Sequence, residues 1–213
     1  MKDNVFFVSG IDTNVGKSYA TGYLAKTWNE QGVRTITQKF IQTGNVGMSE
    51  DIELHRKIMG TGLLPEDESG LTMPEIFTYP CSPHLAAEID HRPIDFDKIE
   101  KATRQLSETY DAVLLEGAGG LMVPLTRDLL TIDYVAQKNY PLIFVTSGKL
   151  GSINHTLLSL EAVTRRGIRL HTVAYNLFPE EDDDIIRRDT EAYICDLLAK
   201  EYPETHFVIV PKL

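Results

Sequence analysis

Residues 10–18 read Gly10-Ile11-Asp12-Thr13-Asn14-Val15-Gly16-Lys17-Ser18 and follow directly on an apolar run at 5–9. A segment of helical period begins at Lys17. A glycine loop that joins a buried strand to a helix and ends in Lys-Ser is typical of a nucleoside-triphosphate cradle. Backbone N–H groups receive phosphate oxygens, the lysine reaches the outer phosphates, and the hydroxyl binds Mg²⁺. The alternative is a chance Gly-Lys-Ser on a structural turn, against which the position between strand and helix argues.

Apolar runs recur along the chain, and each is followed by a polar turn and a segment of helical period. Beyond 5–9, the runs lie at 35–40, 112–115, 142–146, 172–175 and 207–210. Helices are expected at 17–31, from Pro83, at 96–110, at 153–166 and at 184–200, and a loop at 60–74. The alternation predicts an α/β fold of the P-loop NTPase type, a doubly wound and mostly parallel sheet with helices on both faces, as a single domain over residues 1–213.

Composition excludes several classes of function. The 31 acidic and 21 basic side chains give a net charge of −10, which argues against nucleic acid and acidic membranes as partners. Cys81 and Cys195 are far apart and lack metal-ligand spacing, so neither a disulfide framework nor a cysteine metal site is expected. A signal peptide is not expected, because the stretch before the first apolar run is short and acidic, and no apolar run has the length of a membrane span. We expect a cytoplasmic protein.

Three charged residues follow or flank the predicted strands near the loop. Glu116 ends the run at 112–115, where such sheets hold Mg²⁺ or its water shell; a strand-end acid that pairs with a helix amide is the alternative. Lys39 ends the second run and faces either the outer phosphate or solvent. Asp51, in the first turn of a helix after Ser49, is either a further Mg²⁺ ligand or an acid that stabilises the helix dipole.

Two further segments stay ambiguous. The turn at 147–155 contains two glycines and a helix start, so it is either a second anion-binding pocket suited to a carboxylate or a plain connection. The acidic run at 180–184 could bind a metal, but acids ahead of a helix are favoured there by the dipole. The histidines show no metal-ligand spacing and no nucleophile elbow occurs, so zinc and serine hydrolases are not indicated.

Five segments in register resemble the dethiobiotin synthetase family of biotin biosynthesis. They lie at 10–18, 39–44, 82–87, 116–120 and 149–155. The resemblance implies a homodimeric P-loop enzyme that converts 7,8-diaminopelargonic acid, CO₂ and ATP into dethiobiotin, ADP and phosphate with Mg²⁺. Phe40 stands where the family usually has proline, and Ser18 where it usually has threonine.

The resemblance also implies a role for individual positions. Lys17, Lys39 and Thr13 are expected to be catalytic, and Lys39 to touch both the substrate carbamate and the γ-phosphate. The metal ligands are expected to be Ser18, Asp51 and Glu116. Substrate contacts are expected from Thr43 and, across the subunit boundary to the substrate carboxylate, from Leu150, Gly151 and Asn154. Nucleotide contacts are expected from Asp12, Thr13, Asn14, Val15, Gly16, Lys17, Ser18, Tyr19 and, at the purine, Asn176.

A different class of function is the main alternative: a partner-regulated P-loop ATPase switch of the kind that positions chromosomes or septa. Such proteins usually carry a second lysine early in the loop, where this chain has Ile11, Asp12 and Thr13. The net charge of −10 also argues against a DNA- or membrane-binding surface. The sequence therefore favours the ligase over the switch.

Overall fold

Strands and helices alternate along the computed structural model, which describes residues 4–178 and 183–212. The strands are β1 (Val5–Gly10), β2 (Thr35–Lys39), β3 (Gln42–Thr43), β4 (Ile76–Phe77), β5 (Ala112–Glu116), β6 (Leu142–Ser147), β7 (Leu170–Asn176) and β8 (His206–Val210). The helices are α1 (Lys17–Glu30), α2 (Glu50–Met59), α3 (Pro65–Glu68), α4 (Pro83–Ile89), α5 (Phe96–Thr109), α6 (Thr131–Lys138), α7 (Ser152–Arg165) and α8 (Asp184–Glu201).

Six strands form one sheet in the order β2-β5-β1-β6-β7-β8, and all its pairs are parallel. The carboxyl ends of the strands consequently lie along one edge. The register between β2 and β5 places Lys39 directly opposite Glu116, and that between β1 and β5 pairs Val8 with Glu116. The predicted parallel α/β sheet is confirmed, and its central strand leads straight into the glycine loop.

The sheet is covered on both faces, which explains why its strands are apolar without alternation. Phe7, Leu115 and Phe144 point into the larger core cluster, to which α5, α6, α7 and α8 contribute buried side chains. Val8 and Leu114, one residue away in their strands, belong to a smaller cluster on the opposite face, where α1 packs. Helices on both faces are therefore also confirmed.

Phe40, which stands in place of the family's usual proline, is fully buried directly after β2. Its ring centroid lies 4.8 Å from that of Tyr134 and 5.6 Å from that of Phe7. Its backbone N–H donates to the carbonyl of Glu116, a bond that proline could not make. The phenylalanine therefore extends the pairing of β2 with β5 by one residue and fills the core beneath the site.

The expectation of a plain surface loop at 60–74 is wrong, because this segment contains α3 and is anchored inside the protein. Asp67 and Arg56 are both buried and form a bidentate ion pair, with Nε–Oδ2 and Nη2–Oδ1 distances of 2.8 Å. Thr72 donates to Asp67 at 2.6 Å, and its carbonyl accepts from the N–H of Lys39 at 2.7 Å. The segment packs beside the strand that carries Lys39.

Within residues 4–178 and 183–212, no helix is long and apolar enough to cross a membrane. Of the acidic run at 180–184, residues 180–182 lie outside the described residues. Asp183 accepts hydrogen bonds from the N–H groups of Ile185 and Ile186, so it caps α8 as expected for an acid ahead of a helix.

Candidate active site

A cavity of about 750 Å³ lies at the carboxyl edge of the sheet, where ligands of open α/β sheets bind. The glycine loop and the start of α1 form one wall, and Lys39 and Glu116 at the strand ends form the floor. Asp51 from α2 and the segment 80–83 before α4 complete the lining. The site thus draws on segments that are distant in the sequence and that the parallel sheet brings together.

The glycine loop is held in a conformation that only Gly16 allows. Gly16 has φ +82° at the start of α1, in the left-handed region. A Cβ at this position would lie 2.1 Å from Nδ2 of Asn176. That amide donates to the carbonyl of Val15 at 2.9 Å, so the end of β7 supports the loop from below.

The lysine of the loop turns back over it. Lys17 Nζ donates to the carbonyls of Asp12 and Thr13 at 2.9 and 3.0 Å. Burial lowers the pKa of Lys17 to about 8, and the charge of Lys39 acts in the same direction, against the carboxylates of Glu116 and Asp51. An anion in the cavity would favour the charged form of this ammonium.

The second lysine is held between two carboxylates. Lys39 Nζ lies 2.5 Å from Asp51 Oδ2 and 2.8 Å from Glu116 Oε1. Burial by itself lowers the pKa of Lys39, but Glu116 and Asp51 outweigh it and raise the pKa above its usual value. Burial likewise raises the pKa of Glu116, but Lys39 and His55 hold it well below its usual value. Lys39 and Glu116 therefore form a buried ion pair.

The predicted metal ligands Ser18, Asp51 and Glu116 meet in the same place. Ser18 Oγ lies 2.6 Å from Asp51 Oδ1 and 2.9 Å from Glu116 Oε1. A hydroxyl has one hydrogen for these two carboxylate oxygens, so the cluster is rich in acceptors and suits a cation.

This donor set fits Mg²⁺ bound together with phosphate. Across the described parts of the chain, no group of three or more His, Cys, Asp or Glu side chains forms a protein-only metal cage. Mg²⁺ does not require one, because it prefers a few protein oxygens and keeps waters and phosphate oxygens as further ligands. Two carboxylates and a hydroxyl beside a phosphate loop meet that preference.

Most of the residues predicted to bind nucleotide or substrate lie around the cavity. Thr13, Asn14, Gly16, Lys17, Ser18, Tyr19, Lys39 and Thr43 line it. Asp12 and Val15 belong to the loop itself: Asp12 Oδ1 accepts from the N–H of Thr13, and Val15 packs into the smaller core cluster. Lys17 and Lys39, predicted to act on the same phosphate, share this cavity.

Asn176 occupies a different position from that expected of a purine contact. It is fully buried beneath the loop, its amide nitrogen bonds to Val15 and its amide oxygen accepts from the N–H of Phe178. Among the described residues that line the cavity, Asn176 is absent. A purine contact would require exchange of one of these bonds, so it stays a prediction, whereas support of the loop is visible.

The turn after β6 does not contribute to the lining of the cavity within the described chain. Leu150, Gly151 and Asn154 are exposed at the start of α7, and Leu150 retains 74 % of its accessible surface. A contact to the cavity of a second subunit, as the resemblance implies, stays a prediction.

Two buried residues of α2 escaped the sequence analysis. His55 and Arg56 are almost completely buried, and His55 bonds to Glu116. His55 lies one helical turn after Asp51, a spacing that places both on one face of α2, so the sequence did contain a signal for it. Arg56 carried no such signal, because a basic residue late in a helix is normally solvated.

Comparison with known proteins identifies the family of the chain. A family model described as an AAA domain matches residues 4–211. A protein of Pasteurella multocida named ATP-dependent dethiobiotin synthetase BioD 2 is 52% identical over 206 residues, which cover 97% of this chain and 96% of the relative. A protein of the same name from Haemophilus influenzae is 57% identical and covers 86% of this chain and 96% of the relative.

A solved structure shows the same fold at low sequence identity. The structure of pNOB8 ParA bound to nonspecific DNA superimposes with a TM-score of 0.57 at 13% identity, over 99% of this chain and 85% of that chain. At this identity the similarity concerns the fold alone, which is the parallel sheet covered by helices on both faces.

Proposed function

The chain belongs to the dethiobiotin synthetase family of ATP-dependent ligases, and we propose that it closes the ureido ring of dethiobiotin from 7,8-diaminopelargonic acid and CO₂. The observation that carries the proposal is the convergence of Lys17, Lys39, Ser18, Asp51 and Glu116 on one cavity at the sheet edge. It supplies two cations and an oxygen-rich cluster where a triphosphate and a second substrate can meet.

The reaction has two bond-forming stages after one amine has taken up CO₂ as a carbamate. A carbamate oxygen attacks the γ-phosphorus of ATP, and ADP leaves. The second amine then attacks the carbonyl carbon of the mixed anhydride, the ring closes and phosphate leaves. Phosphorylation is needed because a carboxylate oxygen is a poor leaving group.

The two lysines stabilise the charge that develops during phosphoryl transfer. Lys17 extends into the cavity from the glycine loop and Lys39 from the end of β2, where Lys39 would also contact the carbamate. In the described structure each ammonium is bonded to protein oxygens, Lys17 to loop carbonyls and Lys39 to Asp51 and Glu116. Substrate binding therefore exchanges these bonds for bonds to phosphate and carbamate oxygens.

Ser18, Asp51 and Glu116 would hold Mg²⁺, which supplies neutralisation of phosphate charge when bound. Thr13 and Thr43, which line the cavity, would contact the diamine through their hydroxyls. Leu150, Gly151 and Asn154 of a partner subunit would receive the substrate carboxylate in a homodimer. Tyr19, which lines the cavity, would contact the nucleotide, and Asn176 beneath the loop would contact the purine.

One assay separates this function from that of an ATPase switch. ADP release is measured with purified protein, Mg²⁺-ATP and bicarbonate, with and without 7,8-diaminopelargonic acid. We expect release to depend on the diamine, with one dethiobiotin formed for each ADP. Equal release without the diamine would instead support the switch.

A further inference from the structure

His55 is a fully buried histidine whose two ring nitrogens are both engaged at the active site. Nε2 lies 2.8 Å from Glu116 Oε2, and Nδ1 lies 3.0 Å from Oγ1 of Thr37 in β2. We propose that His55 is a positioning residue, which holds the Glu116 carboxylate in the orientation that Mg²⁺ binding requires. This inference rests on the proposed function, because it concerns the metal site named there.

The two oxygens of Glu116 have separate partners. Oε2 faces His55, whereas Oε1 lies 2.9 Å from Ser18 Oγ and 2.8 Å from Lys39 Nζ, on the cavity side. A carboxylate fixed through one oxygen presents the other at a constant angle. Residues that bond to a metal ligand in this way orient it and contribute to metal affinity without touching the metal.

His55 is itself held by a buried chain of hydrogen bonds. Arg56 Nη1 donates to Thr37 Oγ1 at 2.8 Å, and Asp67 holds the guanidinium through two bonds. A guanidinium can only donate, so Thr37 Oγ1 accepts this bond, and the same hydroxyl also bonds to Nδ1 of His55. Nε2 of His55 bonds to Glu116 Oε2, so an unbroken series of buried hydrogen bonds leads from Asp67 through Arg56, Thr37 and His55 to Glu116.

A histidine that merely fills the core would have partners unrelated to the cavity. Here the partner is a cavity-lining acid, and the histidine lies one helical turn after Asp51, the second acid of the cluster. The same helix therefore carries one acid of the cluster and the group that orients the other. Replacement of His55 should change metal affinity more than it changes the affinity for nucleotide without metal.

The test measures binding, so it does not depend on catalysis. ADP binding to His55→Leu, His55→Gln and wild-type protein is followed by titration calorimetry in EDTA and over a range of Mg²⁺ concentrations, and unfolding is followed by circular dichroism. The change to leucine should raise the apparent Mg²⁺ dissociation constant about 10- to 100-fold and leave ADP binding in EDTA nearly unchanged. Glutamine, which can still donate to Glu116, should restore most of the affinity.

Control variants keep the result interpretable. His171→Leu, in an aromatic cluster with Phe6 and Trp28, should leave Mg²⁺ dependence as in the wild type. If His55→Leu does not fold, Thr37→Val carries the test, because loss of the hydroxyl frees the imidazole ring and should weaken Mg²⁺ binding.

Three results would overturn the inference. The first is unchanged Mg²⁺ affinity in His55→Leu, or in Thr37→Val where that variant carries the test. The second is a loss of ADP binding in EDTA that glutamine does not rescue, which would indicate a purely structural role. The third is ADP binding to the wild type that is independent of Mg²⁺, which would also reject the metal site of the proposed function.

Discussion

At the scale of the residue, the active site depends on which groups neutralise buried charge. Lys39 and Glu116 are buried at neighbouring strand ends. Burial of either charge without the other would be energetically costly. Their pairing keeps both charged in the absence of substrate. The lysine is therefore already protonated when a phosphate enters the cavity.

Replacement of Lys39 by glutamine should impair turnover much more than nucleotide binding. Glutamine can still donate to Asp51 or Glu116, but it brings no positive charge to the transferring phosphoryl group. We expect kcat to fall about 100- to 1000-fold, as for the loss of one donor to a transition state. Steady-state kinetics with the diamine and ADP titrations measure the two effects.

Lys26→Gln is the matched control for this substitution, because Lys26 is an exposed lysine of α1. Its kcat should equal that of the wild type. A wild-type kcat in Lys39→Gln would reject the assignment of Lys39.

Site residues at strand ends were predictable, whereas those within α2 were less so. Lys39 and Glu116 each end an apolar run, and parallel strands place such ends at one edge, so the sequence predicted both residues at this edge, whereas their ion pair was not predicted. The Arg56–Asp67 pair is different, since it joins two elements by a contact that no periodicity encodes. Its discovery needed the tertiary structure.

At the scale of the element, the glycine loop shows how backbone conformation and packing restrict one position. Gly16 and Gly32 both have positive φ, at +82° and +86°. A Cβ at Gly16 would overlap with Asn176, whereas one at Gly32 would meet nothing within 4 Å. Alanine at Gly32 would therefore cost only the strain of the backbone conformation, whereas alanine at Gly16 would add the overlap with Asn176.

Gly16→Ala should abolish measurable ATP binding, because the loop must shift to relieve the overlap. Gly32→Ala should keep ATP binding and lose only about 1 kcal/mol of the free energy of unfolding, from the left-handed conformation. ATP titrations and urea unfolding of both variants provide the measurements. Equal ATP affinity in the two variants would show that the overlap is relieved without loss of the cradle.

The segment at 60–74 marks the limit of prediction for elements. Its glycines, prolines and acids are typical of a surface loop, yet α3 places Asp67 in a buried ion pair. The strands β3 and β4, two residues each, are too short to show a period. Longer elements such as α1 and α5 were predicted to within one residue of their ends.

At the scale of the whole molecule, the exposed turn at 150–154 bears on subunit assembly. If a partner's Asn154 completes the site, two variants that are each inactive should complement one another. Lys39→Gln and Asn154→Ala, mixed in equal amounts and allowed to exchange subunits, form mixed dimers with one intact site. We expect about a quarter of wild-type activity from the mixture, because half of the dimers then carry one such site.

Assays of the mixture and of each variant separately test this arrangement. An inactive mixture after verified subunit exchange would mean that each site takes both residues from one subunit, which would contradict the arrangement. Activity of Asn154→Ala by itself would remove the proposed carboxylate contact.

The free energy of unfolding should decrease in acid because of His171, which lies at the amino end of β7, at the edge of the sheet opposite the cavity. Burial, with the charges of His206 and Arg169, lowers the pKa of His171 to about 4. Between pH 6.5 and 4 the unfolded chain binds a proton that the folded protein does not, so the free energy of unfolding decreases as pH falls through this range.

His171→Phe should reduce this decrease by about 1 kcal/mol between pH 7 and 5, allowing for solvent screening at a partly exposed ring. Urea unfolding at the two pH values measures it. His155→Phe, on an exposed position of α7, is the control and should show the wild-type decrease. If the free energy of unfolding of His171→Phe decreases as much as that of the wild type, the acid sensitivity comes from other groups.

The order of the strands also governs how the chain acquires its structure during synthesis. β1 pairs with β5 and β6, whose residues lie at 112–116 and 142–147, so neither neighbour exists when β1 leaves the ribosome. Such long-range pairing makes folding slow and leaves an apolar strand open to association with other nascent chains. Translation beyond residue 147 is consequently the point at which the centre of the sheet can first close.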